Sequence, residues 1–199
     1  MNSDEMKSLS IPFDLVTGLS GDVEPIRRNL SKMSGMYADG QAFDEMVAAG
    51  DPIIYEFYDL GMPDDAGDIA FGTSITYPGR VGDEYFMTKG HFHSILPTAE
   101  VYYCLSGRGG MMMENPEGDW EYRKLSAGVA VYVPPRYAHR SINTSSDGPL
   151  VTFFAFRADA GHDYGTIEDK GFRKLVVQRD GQVVIVDNPK WQDHPEDTQ

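Results

Sequence analysis

The sequence predicts an all-β protein, an antiparallel sandwich or barrel with short N-terminal helices. Short apolar runs recur from residue 53 onward, punctuated by a scatter of 21 Gly and 12 Pro that marks turns. Some runs are apolar on both faces, as in Val151-Thr152-Phe153-Phe154-Ala155-Phe156, which suits strands central to a sheet. The connections between runs are too short for the crossovers of about a dozen residues that parallel pairing needs.

In order along the chain, residues 25–30 and 41–49 read as two short helices, the second closed by Gly50 and Asp51-Pro52. Strands are then expected at 53–57, 68–77, 85–93, 100–106, 109–113, 120–124, 130–133, 139–143, 151–156, 174–179 and 182–186. Asp180-Gly181 between the last two is a two-residue hairpin signal. Gly107-Arg108-Gly109-Gly110 is not a phosphate-binding glycine pattern and reads as a hairpin turn. The expected organisation is an N-terminal helical extension over 1–50, a β domain over 51–187 and a fraying polar tail over 188–199.

At 199 residues the chain suits one domain with extensions, at roughly 150 residues per domain. The net charge of −14 argues against nucleic acid or an anionic membrane as partner, because phosphate-rich surfaces need basic ones. One cysteine, Cys104, excludes an internal disulfide framework and reads as a buried, inert thiol. The N-terminal MNSDEMKSLS lacks the basic-then-apolar pattern of a secretory signal, and no apolar run reaches about 18 residues. The expected location is the cytoplasm.

Five histidines are present, and two form His91-Phe92-His93. On a strand, positions two apart share a face, so both imidazoles project together. A loop over 94–99 containing Pro97 lets Glu100 return beside them, and His139 opens a later strand after Pro134-Pro135. Three imidazoles and a carboxylate suit a divalent transition metal and leave positions open for a substrate. A surface His-x-His with unrelated partners fits the same spacing. Alternation places Tyr102 and Cys104 on the face of Glu100, and Val101, Tyr103 and Leu105 on the other. Tyr102 then offers a hydroxyl near the metal, or packs as an ordinary core aromatic. Met111-Met112-Met113 alternates faces as core filler, and His194 in the acidic tail reads as solvated.

Segments 82–107 and 128–143 resemble the two cupin motifs. The first reads His91-x-His93-x(6)-Glu100-x(6)-Gly107, and the second Gly128-x(5)-Pro134-x-Arg136-x(2)-His139-x(3)-Asn143. The long gap from His93 to Glu100 departs from the common cupin spacing, and Arg136 stands where most cupins have glycine. With Thr88-Lys89-Gly90-His91-Phe92-His93 and Asp159-Ala160-Gly161-His162-Asp163-Tyr164-Gly165, the chain resembles one cupin subgroup over about residues 51–191. That subgroup is the cupin-type glucose-6-phosphate isomerases, known mainly from archaea.

The resemblance implies a double-stranded β-helix, or jelly-roll barrel. It implies His91, His93, Glu100 and His139 as ligands of a divalent metal, iron(II) foremost, with Mn²⁺, Ni²⁺ or Zn²⁺ as alternatives, and a homodimer. It implies interconversion of glucose 6-phosphate and fructose 6-phosphate, through a metal-stabilised enediolate with Glu100 carrying the proton, or through a hydride shift. Ser74, Thr88, Gly90, His162 and Tyr164 are implied at the phosphate, with Tyr102 also facing the substrate; polar filler on a strand face is the plainer reading of Ser74 and Thr88, and a loop anchor that of Tyr164. Phe156 stands where the family usually has tyrosine, and Ser74 where it usually has threonine. Arg80, Lys89, Arg136 and Arg140 are candidate compensating cations, with a surface salt bridge as the plainer reading of Arg140. The competing readings are another metal-dependent cupin enzyme (a dioxygenase, or another sugar-phosphate isomerase or epimerase) and a sugar-binding cupin without turnover.

Overall fold

Strand pairing in the computed structural model, which describes residues 8–21 and 23–191, resolves into three antiparallel sheets. The largest orders β1 (Ile26–Asn29), β2 (Ile53–Phe57), β3 (Ile69–Thr76), β11 (Leu150–Arg157), β6 (Glu100–Ser106) and β9 (Ala130–Val133). A second orders β10 (Ala138–Asn143), β7 (Arg108–Glu114) and β8 (Trp120–Ser126). The third orders β13 (Gln182–Asp187), β12 (Lys174–Arg179), β5 (Glu84–Tyr85) and β4 (Arg80–Val81). Successive strands such as β6 and β7, or β9 and β10, belong to different sheets, so the chain winds around one interior. That winding is the jelly-roll barrel.

Period-two patterning decides what the interior holds. Along β6, Glu100, Tyr102 and Cys104 are buried while Val101 and Tyr103 are exposed. Met111 and Met113 pack with Cys104, Leu125, Val131 and Val133. Met112, on the opposite face of β7, packs with Leu30, Met33, Tyr37 and Phe172. All three methionines are fully or almost fully buried, each stabilising by roughly 1.5–3 kcal/mol relative to exposure. Burial pushes the Cys104 thiol up to about 11, which leaves it unreactive at neutral pH. Asp180 and Gly181 both take positive φ and join β12 to β13, as the two-residue hairpin requires.

Several expectations are corrected. Residues 26–29 form no helix; they are the edge strand β1, paired antiparallel with β2, followed by a 3-10 turn over Leu30–Met33. Sheet pairing overrides the weak helical pattern of so short a segment. The second helix is present as α1 (Gly40–Gly50), capped by the Asp39 side chain accepting from the Ala42 N–H at 3.0 Å. Segment 85–93 is not one strand. It continues from β5 only through isolated bridges at Met87, His91 and Phe92, because Gly90 turns the backbone to φ +81°. Gly107 is no hairpin either: it carries the chain from the large sheet into the second one, where a Cβ would meet the Pro149 carbonyl at 2.2 Å.

A short helix, α2 (Gly165–Lys170), is additional to the sequence reading. Asn188 to Trp191 do not fray: Asn188 bonds the Phe172 carbonyl at 2.8 Å, and Arg173 stacks on Trp191 at 3.8 Å. The rest of the tail, His194 with it, and the first seven residues on which the leader reading partly rests lie outside the described residues.

Candidate metal centre and cavity

Gly90 ends the irregular run before His91, and its φ of +81° is a conformation that glycine adopts without cost. A Cβ there would also strike Phe172 at 2.7 Å and Arg140 at 3.0 Å, so packing from behind demands glycine. Immediately after it, His91 and His139 exchange backbone hydrogen bonds at 3.3 and 3.1 Å. This bridge brings the His91-Phe92-His93 segment onto the start of β10. Glu100, opening β6, lies across the large sheet from Phe156 and Val133.

These placements converge. One ligand atom from each of His91, His93, Glu100 and His139 lies within 4.8 Å of every other. Glu100 Oε2 lies 2.8 Å from His139 Nε2 and 3.2 Å from His93 Nε2. None of these contacts has hydrogen-bond geometry, so Glu100 Oε2 and the Nε2 atoms of all three histidines are buried without a partner. Leaving one buried polar atom unpaired costs about 1–3 kcal/mol, and four together need a shared explanation. Both remaining Nδ1 atoms that have partners face carbonyls: His93 Nδ1 faces Gly161 O at 3.2 Å, and His139 Nδ1 faces Tyr137 O at 3.3 Å. With the Nδ1 proton on a carbonyl, the Nε2 lone pair points into the cluster, which is how a metal-ligating histidine is oriented. The donor set and its orphaned atoms fit a divalent cation.

Electrostatics agree. Burial, then the neighbouring His139 and His162, holds His91 well below its ordinary range and therefore neutral. Burial alone raises Glu100, but the neighbouring imidazoles, His139 foremost, outweigh that and hold the carboxyl well below the usual carboxylate range. Burial and then the Glu100 charge push the Tyr102 phenol well up, so it stays protonated.

The cluster opens into a cavity of about 510 Å³. Ser74, Thr88, Gly90, Tyr102, His162 and Tyr164 all line it, with His91, Glu100 and His139. His93 is buried behind them, its ring 5.2 Å from that of Phe156. The Thr88 hydroxyl accepts from the Ser141 N–H at 3.0 Å. His162 stacks on Tyr164 with ring centroids 5.7 Å apart and lies 4.3 Å from His91. Burial lowers its pKa, which favours the neutral ring.

Of the four candidate cations, Lys89 alone lines this cavity, and its ammonium is paired with Glu168. Arg80 lies at a separate surface pocket, and Arg136 pairs with Glu117. Arg140 is no surface residue. It is buried against the Phe172 ring at 4.4 Å, in the field of the buried Glu84 and Glu114. Alternation along β10 places it behind His139, where Glu84 of β5, Glu114 of β7 and the Lys174 carbonyl of β12 surround it.

A jelly-roll barrel whose interior converges three imidazoles and a carboxylate defines a cupin with a candidate metal centre. The model of the glucose-6-phosphate isomerase family matches residues 27–192. A glucose-6-phosphate isomerase of Thermococcus litoralis is 48% identical over 181 residues, covering 91% of this chain and 95% of that protein. One from Pyrococcus furiosus is 45% identical over 181 residues, with the same coverage of both chains. Among solved structures, oxalate oxidase with bound glycolate is similar over 50% of this chain and 47% of its own, at 13% identity and TM-score 0.41. Bacillus subtilis oxalate decarboxylase is similar over 53% and 26%, at 25% identity and TM-score 0.42. The chain belongs to the glucose-6-phosphate isomerase family.

Proposed function

We propose that this protein interconverts glucose 6-phosphate and fructose 6-phosphate, as a glycolytic and gluconeogenic enzyme of the cytoplasm. One observation carries the reading: four buried, unpartnered ligand atoms converge beside a cavity of sugar-phosphate size, which His91, Glu100 and His139 line, in a chain of this family. His91, His93, Glu100 and His139 are assigned to a divalent cation, iron(II) in the native protein. When bound, that ion supplies Lewis-acid stabilisation of negative charge on the sugar oxygens.

The chain's own groups account for the rest. Glu100, kept ionised, takes the proton from one of the two reacting carbons and returns it to the other. Tyr102, kept protonated beside it, donates to a sugar oxygen. Ser74, Thr88, the Gly90 N–H, His162 and Tyr164 hold the phosphate end, where a neutral His162 acts as a hydrogen-bond donor. The phosphate anchors the chain of the sugar so that its first two carbons meet Glu100.

A coupled assay with fructose 6-phosphate before and after chelation tests the reading. Turnover is expected to vanish with EDTA and return with Fe²⁺ or Mn²⁺; turnover indifferent to both overturns it. Exchange of solvent deuterium into C1 or C2 tests the Glu100 step, and complete retention of the substrate hydrogen would argue against Glu100 as a proton shuttle that exchanges with water.

We also infer a homodimer. Val101, Tyr103 and Tyr132 stand 41%, 42% and 59% exposed on the outer face of β6 and β9, with Val101 directly opposite Tyr132. An apolar sheet face of this kind suits a second copy of the chain. A monomeric mass by light scattering would contradict it.

A further inference from the structure

We infer that Arg28, on the edge strand β1, is the cation that neutralises the substrate phosphate; this rests on the function proposed above. Anion binding in a chain of net charge −14 needs local positive charge. Lys89 lines the cavity, but its ammonium is already paired with Glu168. The other cation within reach comes from β1.

The register places it there. Arg28 lies opposite Tyr55, which lies opposite Thr76, so these side chains share the inner face of the large sheet. Phe57, two residues from Tyr55 on that face, lies opposite Ser74. Tyr55, Phe57 and Ser74 all line the cavity. The Arg28 guanidinium sits 5.7 Å from the Phe57 ring centroid, and its charge acts on the phenols of Tyr55 and Tyr164. The guanidinium thus stands beside Phe57 and Tyr55 of the cavity lining, with its charge felt at Tyr164.

The two arginines of β1 divide by face. Arg27, on the outer face, is bound to Glu56 at 2.8 Å. Arg28 makes no ion pair among the described residues and is half-buried. A partly desolvated guanidinium without a carboxylate is a site for an external anion, and its planar fork suits phosphate oxygens.

The test uses metal-loaded protein and three forms: wild type, Arg28→Gln and Arg28→Lys. Arg28→Gln is expected to raise KM for fructose 6-phosphate about tenfold with kcat little changed. It should raise the inhibition constant of inorganic phosphate by a similar factor. Arg28→Lys, which keeps the charge, should recover most of both losses, and a merely structural role would not be repaired this way. An unchanged phosphate inhibition constant in Arg28→Gln overturns the inference. So does a fall in kcat without a rise in KM, or Arg28→Lys behaving no better than Arg28→Gln. Wild type that turns over no fructose 6-phosphate would instead refute the function proposed above. Phosphate binding can still be read then by calorimetry, where unchanged affinity in Arg28→Gln again overturns the role of Arg28.

Discussion

Glu100 Oε2 approaches His139 Nε2 to 2.8 Å inside the barrel, yet no hydrogen bond joins them. Two such atoms held together without a hydrogen bond between them would suit joint ligation of a cation. The same carboxylate faces the cavity, so the proposed ligation and proton transfer would fall to one side chain. Glu100→Gln preserves volume and removes the charge. We expect kcat to fall by about 10²- to 10⁴-fold. The three imidazoles should still retain the ion, as metal analysis of the purified variant can establish. Wild-type turnover in the variant would remove Glu100 from the proton step.

Phe156 projects into the cavity, its ring 5.3 Å from that of His162. A phenol hydroxyl there would add a donor at the phosphate end. Phe156→Tyr is expected to strengthen binding by about 1 kcal/mol, roughly a fivefold lower KM for fructose 6-phosphate. Steady-state kinetics decides this, and a raised KM would mean that the hydroxyl finds no anion to bond.

Arg136 takes a φ of +73°, a left-handed conformation that costs a residue with a Cβ about 1–2 kcal/mol. This explains why the cupin motif ordinarily puts glycine here. Arg136→Gly gives up an exposed ion pair with Glu117 that stabilises by about 0–1 kcal/mol. The variant should therefore be more stable, by about 0.5–1 kcal/mol in urea unfolding, and a loss of that size would show that the ion pair outweighs the strain.

Metal-free protein should lose stability on acidification. His91 and His162 are held below their ordinary value of about 6.5 chiefly by burial. The unfolded chain therefore binds more protons than the folded one below that pH, and stability falls as pH falls through it. Glu84 and Glu114, raised by burial, act in the opposite sense at lower pH. Comparing Tm with and without metal between pH 7.5 and 5.5 isolates the histidines. Both forms should fall, the metal-loaded one more steeply, because a bound ion bars protonation of its histidine ligands in the folded state and is released as they protonate; parallel curves would contradict this account.

Much of this was legible in residues with strict local rules. Alternation put Glu100, Tyr102 and Cys104 on one inner face, and Asp180-Gly181 named its own turn. The spacing of His91, His93, Glu100 and His139 drew attention to them before any fold was known. What stayed hidden depended on partners distant in the chain. Residues 26–29 are extended only because β2 pairs with them, so a helical reading of four residues had nothing to oppose it. Arg140 looked like a surface residue because Glu84, Glu114 and Phe172, which surround it, lie 56, 26 and 32 positions away. Arg28 escaped notice for the same reason as its strand.

The most direct measurement is an equilibrium titration of chelated protein with Mn²⁺, followed by the loss of the free-ion resonance. One tightly held ion per chain is expected in wild type, with binding abolished when His91 and His139 are both replaced by alanine. Absence of stoichiometric binding in wild type, or its survival in the double variant, would contradict the convergence of these four side chains on a single cation.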